Sequence, residues 1–162
     1  MNANVHTLQE LVQDRGLITN QVPWFGIENV EEAKAAVSEA MKIPNAVCGI
    51  TDTKGSAWGL PLTDVRDTVN GTILVIENSD AIGSTFNLVA PSSTSIVAAA
   101  KLICGNTDHP NLDVKIRFRW WLEVANNKAR TNLGYQPKYD FPDMVESALA
   151  FRSGKDIGVL PV

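Results

Sequence analysis

Four stretches of the chain have the hydrophobic periodicity of amphipathic helices, and each begins at a capping signal. The clearest signal is Thr7-Leu8-Gln9-Glu10, where a threonine hydroxyl and a carboxylate three residues later can cap each other. Over residues 30–41, apolar side chains recur every three or four positions until Pro44 stops the pattern. The predicted helices follow Thr7, Asn29, Ser92 or Ser93, and Asp140.

Between these helices the period changes to that of strands. Ala46–Thr51 is a short apolar run, and Thr72–Glu77 is β-branched on both faces. Because Asn70-Gly71 favours a two-residue type I′ turn, we expect a hairpin at this position. Thr85–Val89 would add a further strand.

The most regular segment is Asp113–Val124, which alternates strictly. One face is apolar: Val114, Ile116, Phe118, Trp120, Leu122 and Val124. The other face is basic and aromatic: Lys115, Arg117, Arg119, Trp121 and Glu123. This pattern predicts a long strand with one core face.

These patterns favour an α+β fold in a single domain, residues 1–162, with a mostly antiparallel sheet of about four to five strands and three to four helices. A loop-helix extension is expected from about residue 125, and residues 52–63 form a loop that carries an exposed or half-exposed Trp58.

The net charge of −4 is unevenly distributed. Residues 1–81 hold 5 basic and 11 acidic side chains, net −6, whereas residues 82–162 hold 9 and 7, net +2. Such polarity within one chain favours head-to-tail association between copies.

The chain shows no signal for secretion or for a membrane span. Met1–Gln13 lacks the apolar run of a signal peptide, and the most apolar stretch, Ile96–Cys104, is short and interrupted by Lys101. We therefore expect a cytoplasmic origin, with Cys48 and Cys104 as small buried hydrophobic residues in a reducing compartment.

No catalytic residue, cofactor site or metal site is predicted. The patterns GxGxxG, GxSxG and HExxH are absent. Asp108, His109 and Asp113 lack the spacing of metal ligands. A nucleophilic Cys104 paired with His109 is disfavoured because Cys104 falls at a predicted helix C-terminus, where the helix dipole opposes a thiolate.

The basic strand face is the candidate functional surface, with cationic side chains about 6.6 Å apart. It fits three alternatives: packing against a helix of the same subunit, an interface with an acidic neighbour, or a nucleic-acid platform. The sequence pI of 5.1 makes nucleic acid the least favoured partner. The candidate interface residues are Lys115, Arg117, Arg119, Trp121 and Trp58.

The predicted elements run in this order: a helix capped by Thr7-Leu8-Gln9-Glu10, a strand entered through Pro44-Asn45-Ala46-Val47, a strand pair around Thr72–Glu77, a helix over Ser93–Cys104 and the long strand Val114–Val124. This order resembles that of the tail-terminator and neck proteins of tailed bacteriophages. The resemblance implies a non-catalytic virion subunit that is assembled in the bacterial cytoplasm and forms a homo-oligomeric ring, with other virion proteins as partners.

Two alternative functions remain open from the sequence. A small-molecule-binding α+β domain or enzyme would use a pocket around acidic and imidazole side chains: Asp64, Asp67, Asp108 or His109. Such a pocket could also be lined by tryptophans: Trp24, Trp58, Trp120 and Trp121. A nucleic-acid-associated protein would use the basic strand face.

Overall fold

The computed structural model describes residues 27–40 and 42–158, so the helix predicted after Thr7 lies outside the described residues. The elements in chain order are α1 (Ile27–Ala40), β1 (Val47–Asp52), β2 (Gly59–Leu60), α2 (Val65–Glu77), a 3₁₀ turn (Ser79–Ala81), β3 (Thr94–Ser95), α3 (Ile96–Gly105), β4 (Asn111–Ile116), α4 (Asn127–Leu133) and α5 (Phe141–Arg152). Within these ranges the protein is α+β, with five α-helices and few, short strands.

The longest strand pairing is parallel, which corrects the predicted antiparallel sheet. β1 and β4 run side by side over six residues, from Val47 opposite Asn111 to Asp52 opposite Ile116. Parallel strands need a long crossover between them, and here α3 leads into β4 and packs against β1. The structure describes four strands, but β1 and β4 form a two-stranded sheet of their own, and β2 and β3 have only two residues each. The prediction of one sheet of about four to five strands is therefore wrong.

Two compact units divide the described residues. The first comprises the described residues through Trp58 together with Ser95–Trp120, and the second comprises Gly59–Thr94 together with the described residues from Trp121 onward. Each unit has its own buried apolar side chains. No helix within residues 27–40 and 42–158 is long and apolar enough to cross a membrane.

The first unit packs α1 and α3 against the β1–β4 pair. The helix predicted over residues 30–41 is confirmed as α1, with Ala33 and Val37 buried. In β4, Val114 and Ile116 are buried while Lys115 is exposed, as the alternating pattern predicts.

Trp58 lies in the core of this unit, which corrects its predicted exposure. Its side chain is 3% exposed, and its indole Nε1 donates a hydrogen bond of 2.9 Å to the carbonyl of Phe118. The indole also contacts the rings of Phe118 and Trp120, at centroid distances of 5.1 and 5.5 Å. The predicted long strand over 113–124 is wrong, since β4 ends at Ile116 and the backbone bends at 117–118. At the bend, the Phe118 carbonyl bonds to the Trp58 side chain and not to a neighbouring strand.

The predicted hairpin around Asn70-Gly71 is wrong, since α2 runs through it without a break. Asp64 caps this helix by accepting from the Arg66 amide at 2.8 Å. The apolar run over 72–77, which was predicted to be a strand with two apolar faces, lies on different sides of this helix. Leu74 and Val75 pack on the core of the second unit, while Ile73 and Ile76 are exposed.

Downstream of α2, the strand predicted over Thr85–Val89 is wrong, since these residues form an irregular segment. The loop predicted at the start of the extension, from about residue 125, contains α4. Gly134 ends α4 in the left-handed conformation, with φ of 69°. The last predicted helix is confirmed as α5, and its N-terminus is a reciprocal capping box between Asp140 and Asp143.

Gly71 allows the core of the second unit to close on α2. That core is formed by Ala81, Ala129, Leu133 and Tyr135, with Leu74, Val75, Phe86 and Leu88 packed against it. A Cβ at position 71 would meet the Leu88 methyls at 2.7 and 2.9 Å and the Tyr135 ring at 3.0 Å. The missing side chain therefore matters more here than the low helix propensity of glycine.

We predict that Gly71→Ala lowers the free energy of unfolding by about 1–3 kcal/mol, because overpacking outweighs the higher helix propensity of alanine. Urea unfolding followed by circular dichroism measures this change. Gly105→Ala is the matched control, since nothing lies within 4 Å of a Cβ at the end of α3. Equal stabilities of the two variants would contradict the packing argument.

Candidate functional site

The residues predicted as an interface are divided between the two units. Lys115, Arg117 and Arg119 are exposed in the first unit, and Arg117 Nε lies 3.3 Å from Glu32 Oε2 on α1. This ion pair links Arg117 to a helix of the same chain, but it is exposed and the three cations are not buried against that helix. A role for these cations at a subunit interface remains a prediction.

Trp121 lies in the second unit and is 37% exposed. Its ring covers Gly59 so closely that a Cβ there would lie 2.5–2.7 Å from ring atoms. The indole Nε1 donates to Glu123 Oε1 at 3.0 Å, and the Leu122 amide donates to the Gly59 carbonyl at 3.0 Å. One face of this tryptophan is therefore committed to backbone packing.

The two cysteines do not form a nucleophilic site. Burial raises the pKa of the Cys48 thiol, and the neighbouring Cys104 raises it further. Burial also raises the pKa of Cys104. Both groups are therefore protonated thiols at neutral pH, which is unfavourable for nucleophilic chemistry. Among the described residues no cluster of three or more potential metal ligands occurs.

The second unit brings together the buried acidic side chains that the sequence named as pocket candidates. Asp64 accepts two hydrogen bonds of 2.8 Å from the Arg66 side chain, which lower the pKa of the carboxyl. The Arg66 guanidinium lies over the Tyr139 ring, 3.7 Å from its centroid, and donates to Ser147 Oγ at 3.0 Å. Arg66 thus connects the start of α2 to the C-terminal segment of the same unit.

Asp67 is 2% exposed and binds the loop that follows α4. Its two carboxylate oxygens accept separate backbone hydrogen bonds, from Lys138 at 2.9 Å and from Tyr139 at 3.0 Å. A buried carboxylate would be unfavourable without such donors, so the loop and the helix depend on each other. By contrast, Asp108 and His109 belong to the first unit and do not join this cluster.

A polar groove of about 280 Å³ lies beside this cluster, between α4 and the loop after it. We call it the α4 groove, and it is lined by Asn127, Arg130, Thr131, Tyr135 and Gln136. The Tyr135 side chain is fully buried, and its phenol oxygen has no hydrogen-bond partner among the described residues. Burial, and to a lesser extent the charge of Asp67, raise the pKa of that phenol.

Hydrogen bonds hold both ends of α4 in place. The buried Asn126 donates from Nδ2 to the Val89 carbonyl at 2.9 Å, and Asn78 donates from Nδ2 to the Asn132 carbonyl at 3.1 Å. After Gly134, the Tyr135 amide returns to the Ala129 carbonyl at 3.2 Å. The walls of the groove are therefore supported by residues that are distant in sequence.

The sequence did not predict this site, because hydrophobic residues do not recur at helical spacing over residues 125–139. Two local signals were present: an asparagine pair at 126–127 that can begin a helix, and Gly134, which can end one. Three basic side chains without an acidic one over residues 124–139 were a further signal.

We predict that Asp67→Asn lowers the free energy of unfolding by about 2–3 kcal/mol. The amide keeps one acceptor but presents an NH₂ group to the second backbone donor, which then stays buried without a partner. Chemical denaturation measures the loss, and Asp80→Asn, on an exposed side chain, is the control. A loss no greater than that of the control would contradict the role of Asp67 in anchoring the loop.

We also predict that Asp64 contributes to acid sensitivity. Because its pKa is lowered in the folded state, its stabilising contribution is complete above the unfolded pKa near 4 and disappears as the pH falls through the folded pKa. Between about pH 5 and pH 2, the loss of unfolding free energy is expected to be smaller in Asp64→Asn than in the wild type. Asp80→Asn is the control. If the unfolding free energy of Asp64→Asn falls with pH as steeply as that of the control, the contribution of Asp64 to acid sensitivity is contradicted.

No protein-family profile and no curated protein matches this chain. Solved structures do match it. A short-chain dehydrogenase/reductase superfamily protein from Agrobacterium tumefaciens with bound NAD is 24% identical, with a TM-score of 0.66 over 78% of this chain and 40% of that protein. UDP-glucose 4-epimerase from Bifidobacterium longum, in complex with NAD⁺ and UDP, is 22% identical, with a TM-score of 0.55 over 75% of this chain and 38% of the epimerase.

A monomeric L-threonine 3-dehydrogenase from a metagenome is 21% identical, with a TM-score of 0.51 over 72% of this chain and 40% of the enzyme. At these identities the matches establish the fold alone. The chain spans about two fifths of the length of the enzymes that it matches.

These comparisons overturn the resemblance to phage tail-terminator and neck proteins. The matching structures are dehydrogenases and epimerases with Rossmann-like folds, so the predictions of a non-catalytic structural subunit and of a virion location are wrong. The resemblance depended on two predicted elements, a hairpin at Asn70-Gly71 and a long strand over 113–124. The structure instead contains α2 and a shorter, parallel β4. The chain has an enzyme-like fold shared with part of these proteins.

Proposed function

We propose that this chain provides the substrate-binding part of an enzyme of the dehydrogenase/epimerase type and binds a small polar molecule. The observation that carries the proposal is the match of more than three quarters of the chain to the NAD-bound short-chain dehydrogenase/reductase. This reading develops the alternative of a small-molecule-binding domain that the sequence left open.

The α4 groove supports the substrate part of this proposal. It is lined by side-chain amides, a hydroxyl, a phenol and a guanidinium, which are groups that bind hydroxylated and charged small molecules through hydrogen bonds. Two of the matched epimerases are in complex with UDP or with formylated UDP-arabinopyranose. A nucleotide sugar is therefore a suitable first probe.

Neither the glycine spacing of the sequence nor the starts of α2, α3 and α5 suit a dinucleotide. The Rossmann fingerprint requires glycines two residues apart at the start of a helix, and no two of the eleven glycines have that spacing. A pyrophosphate would need a helix N-terminus with free amides. At α2 and α5 these amides already bond to Asp64 and Asp140, whose charges repel an anion. At α3 the Ser95 hydroxyl accepts from the Ala98 amide.

The same caps favour a substrate role for the second unit. Aspartate caps stabilise α2 and α5 and keep their N-termini occupied. The exposed guanidinium, amide and hydroxyl groups at the α4 groove are not needed for capping. In the second unit, the α4 groove is therefore where we expect the substrate to bind.

We predict that the full chain binds UDP-glucose and does not bind NAD⁺ when each is titrated separately by isothermal calorimetry. Asn127→Trp places a bulky ring in the α4 groove and is expected to weaken UDP-glucose binding at least tenfold. Asn132→Trp is the matched control, because this exposed asparagine of the same helix does not line the groove.

Three results would overturn parts of this proposal. Binding of NAD⁺ without UDP-glucose would contradict the substrate role. Equal binding by the two tryptophan variants would contradict the groove as the site. Absence of binding by UDP-glucose and by the simpler sugars used below would contradict the small-molecule function itself.

A further inference from the structure

The segment that forms the α4 groove has a positive charge with no internal compensation. From Val124 to Tyr139 the chain carries Lys128, Arg130 and Lys138 and no aspartate or glutamate. Because the whole chain has a net charge of −4, this segment is electrostatically distinct from the rest of the protein.

Arg130 is the cation of this segment that lies in the groove. Among the five lining residues it alone is charged, and it forms no ion pair among the described residues. Lys128 instead lies over the Phe86 ring, with Nζ 4.7 Å from the centroid. The four other lining residues can donate hydrogen bonds from neutral groups, so the groove combines one positive charge with several donors.

The groove is also preorganised, which reduces the entropic cost of binding. Ala129 and Leu133 anchor the inner face of α4, and the fully buried Tyr135 anchors the loop. The two hydrogen bonds to Asp67 fix the loop immediately after Gln136 and Pro137. Arg130 therefore extends from a supported helix rather than from a free loop.

We propose that the α4 groove binds the oxyanion of a small sugar derivative, with the Arg130 guanidinium as the recognition group and the neutral side chains bonding to hydroxyls. This inference rests on the proposed substrate role and specifies the class of ligand. A guanidinium presents paired N–H donors that match carboxylate and phosphate oxygens, so both anions share the required chemistry. With a volume of about 280 Å³, the groove is smaller than a pocket that encloses a drug-sized ligand, so it would hold one sugar derivative or only the anionic part of a larger ligand such as UDP-glucose.

The experiment compares three sugars that differ in the charged group: glucose 1-phosphate, glucuronate and neutral glucose. Each is titrated into the ¹⁵N-labelled full chain, and amide shifts of residues 127–136 report binding. We expect at least tenfold tighter binding of one or both anions than of glucose, with weakening as salt rises. The phosphate and carboxylate arms decide which oxyanion the groove prefers.

Arg130→Gln tests the recognition group, with Arg152→Gln as the matched control on an exposed arginine outside the groove. We expect Arg130→Gln to remove the preference for anions while leaving the weak binding of glucose unchanged. Arg130→Lys keeps the charge but loses the paired donors, so a partial loss is expected. Unchanged amide spectra away from the groove show that each variant is folded.

The outcomes separate this inference from the proposed function. If glucose binds as tightly as the anions, or if Arg130→Gln retains the anion preference, the inference is overturned while the small-molecule role stands. If none of the three sugars and no UDP-glucose shifts any amide, both are overturned. If the anions shift amides only outside residues 127–136, the groove is not the anion site and the inference also fails.

Discussion

The second unit depends on one buried carboxylate. Asp67 gives both of its oxygens to backbone amides that lie more than seventy residues later in the chain, so α2 and the loop after α4 must form together. A buried charge without these two donors would be strongly unfavourable, and the loop amides without an acceptor would also be unsatisfied. Gly71, one helical turn further along α2, lets the Tyr135 ring approach closely enough to complete the same contact surface. The α4 groove exists because this arrangement holds its walls.

The proposed substrate role rests on which of the described groups are already engaged elsewhere. The aspartates at the starts of α2 and α5 are engaged in capping, the cysteines are protonated thiols, and Trp58 and one face of Trp121 are committed to packing. What remains is a set of polar side chains on a rigid helix and loop, with Arg130 as the cation. Such a set would suit the ligand recognition that we propose. The chain spans about two fifths of the length of the dehydrogenases and epimerases whose fold it shares.

Local signals were reliable where a short stretch of sequence determines the structure. The periodicity of α1, the capping box at Asp140 and Asp143, and the alternation of buried and exposed residues in β4 were all predicted correctly. These features depend on neighbours within four residues or on a simple two-residue period. The candidate site was harder, because Arg130, Tyr135 and Gln136 lie in a segment with little periodicity, and only Asp64 and Asp67 were named beforehand.

The sequence by itself determined that the protein combines helices and strands and that α5 begins after Asp140, because caps and hydrophobic periods act locally. The starts of α1 and α3 differ from the predicted ones, since α1 begins at Ile27 and α3 is capped by Ser95. Only the tertiary structure decided that Thr72–Glu77 belongs to a helix, that β1 and β4 are parallel, and that Trp58 is buried. Asn70-Gly71 favours a turn locally, but packing of Leu74, Val75 and Tyr135 around α2 stabilises the helix more. Contacts between residues far apart in sequence outweigh local preference where apolar side chains are buried. Such contacts also form the α4 groove.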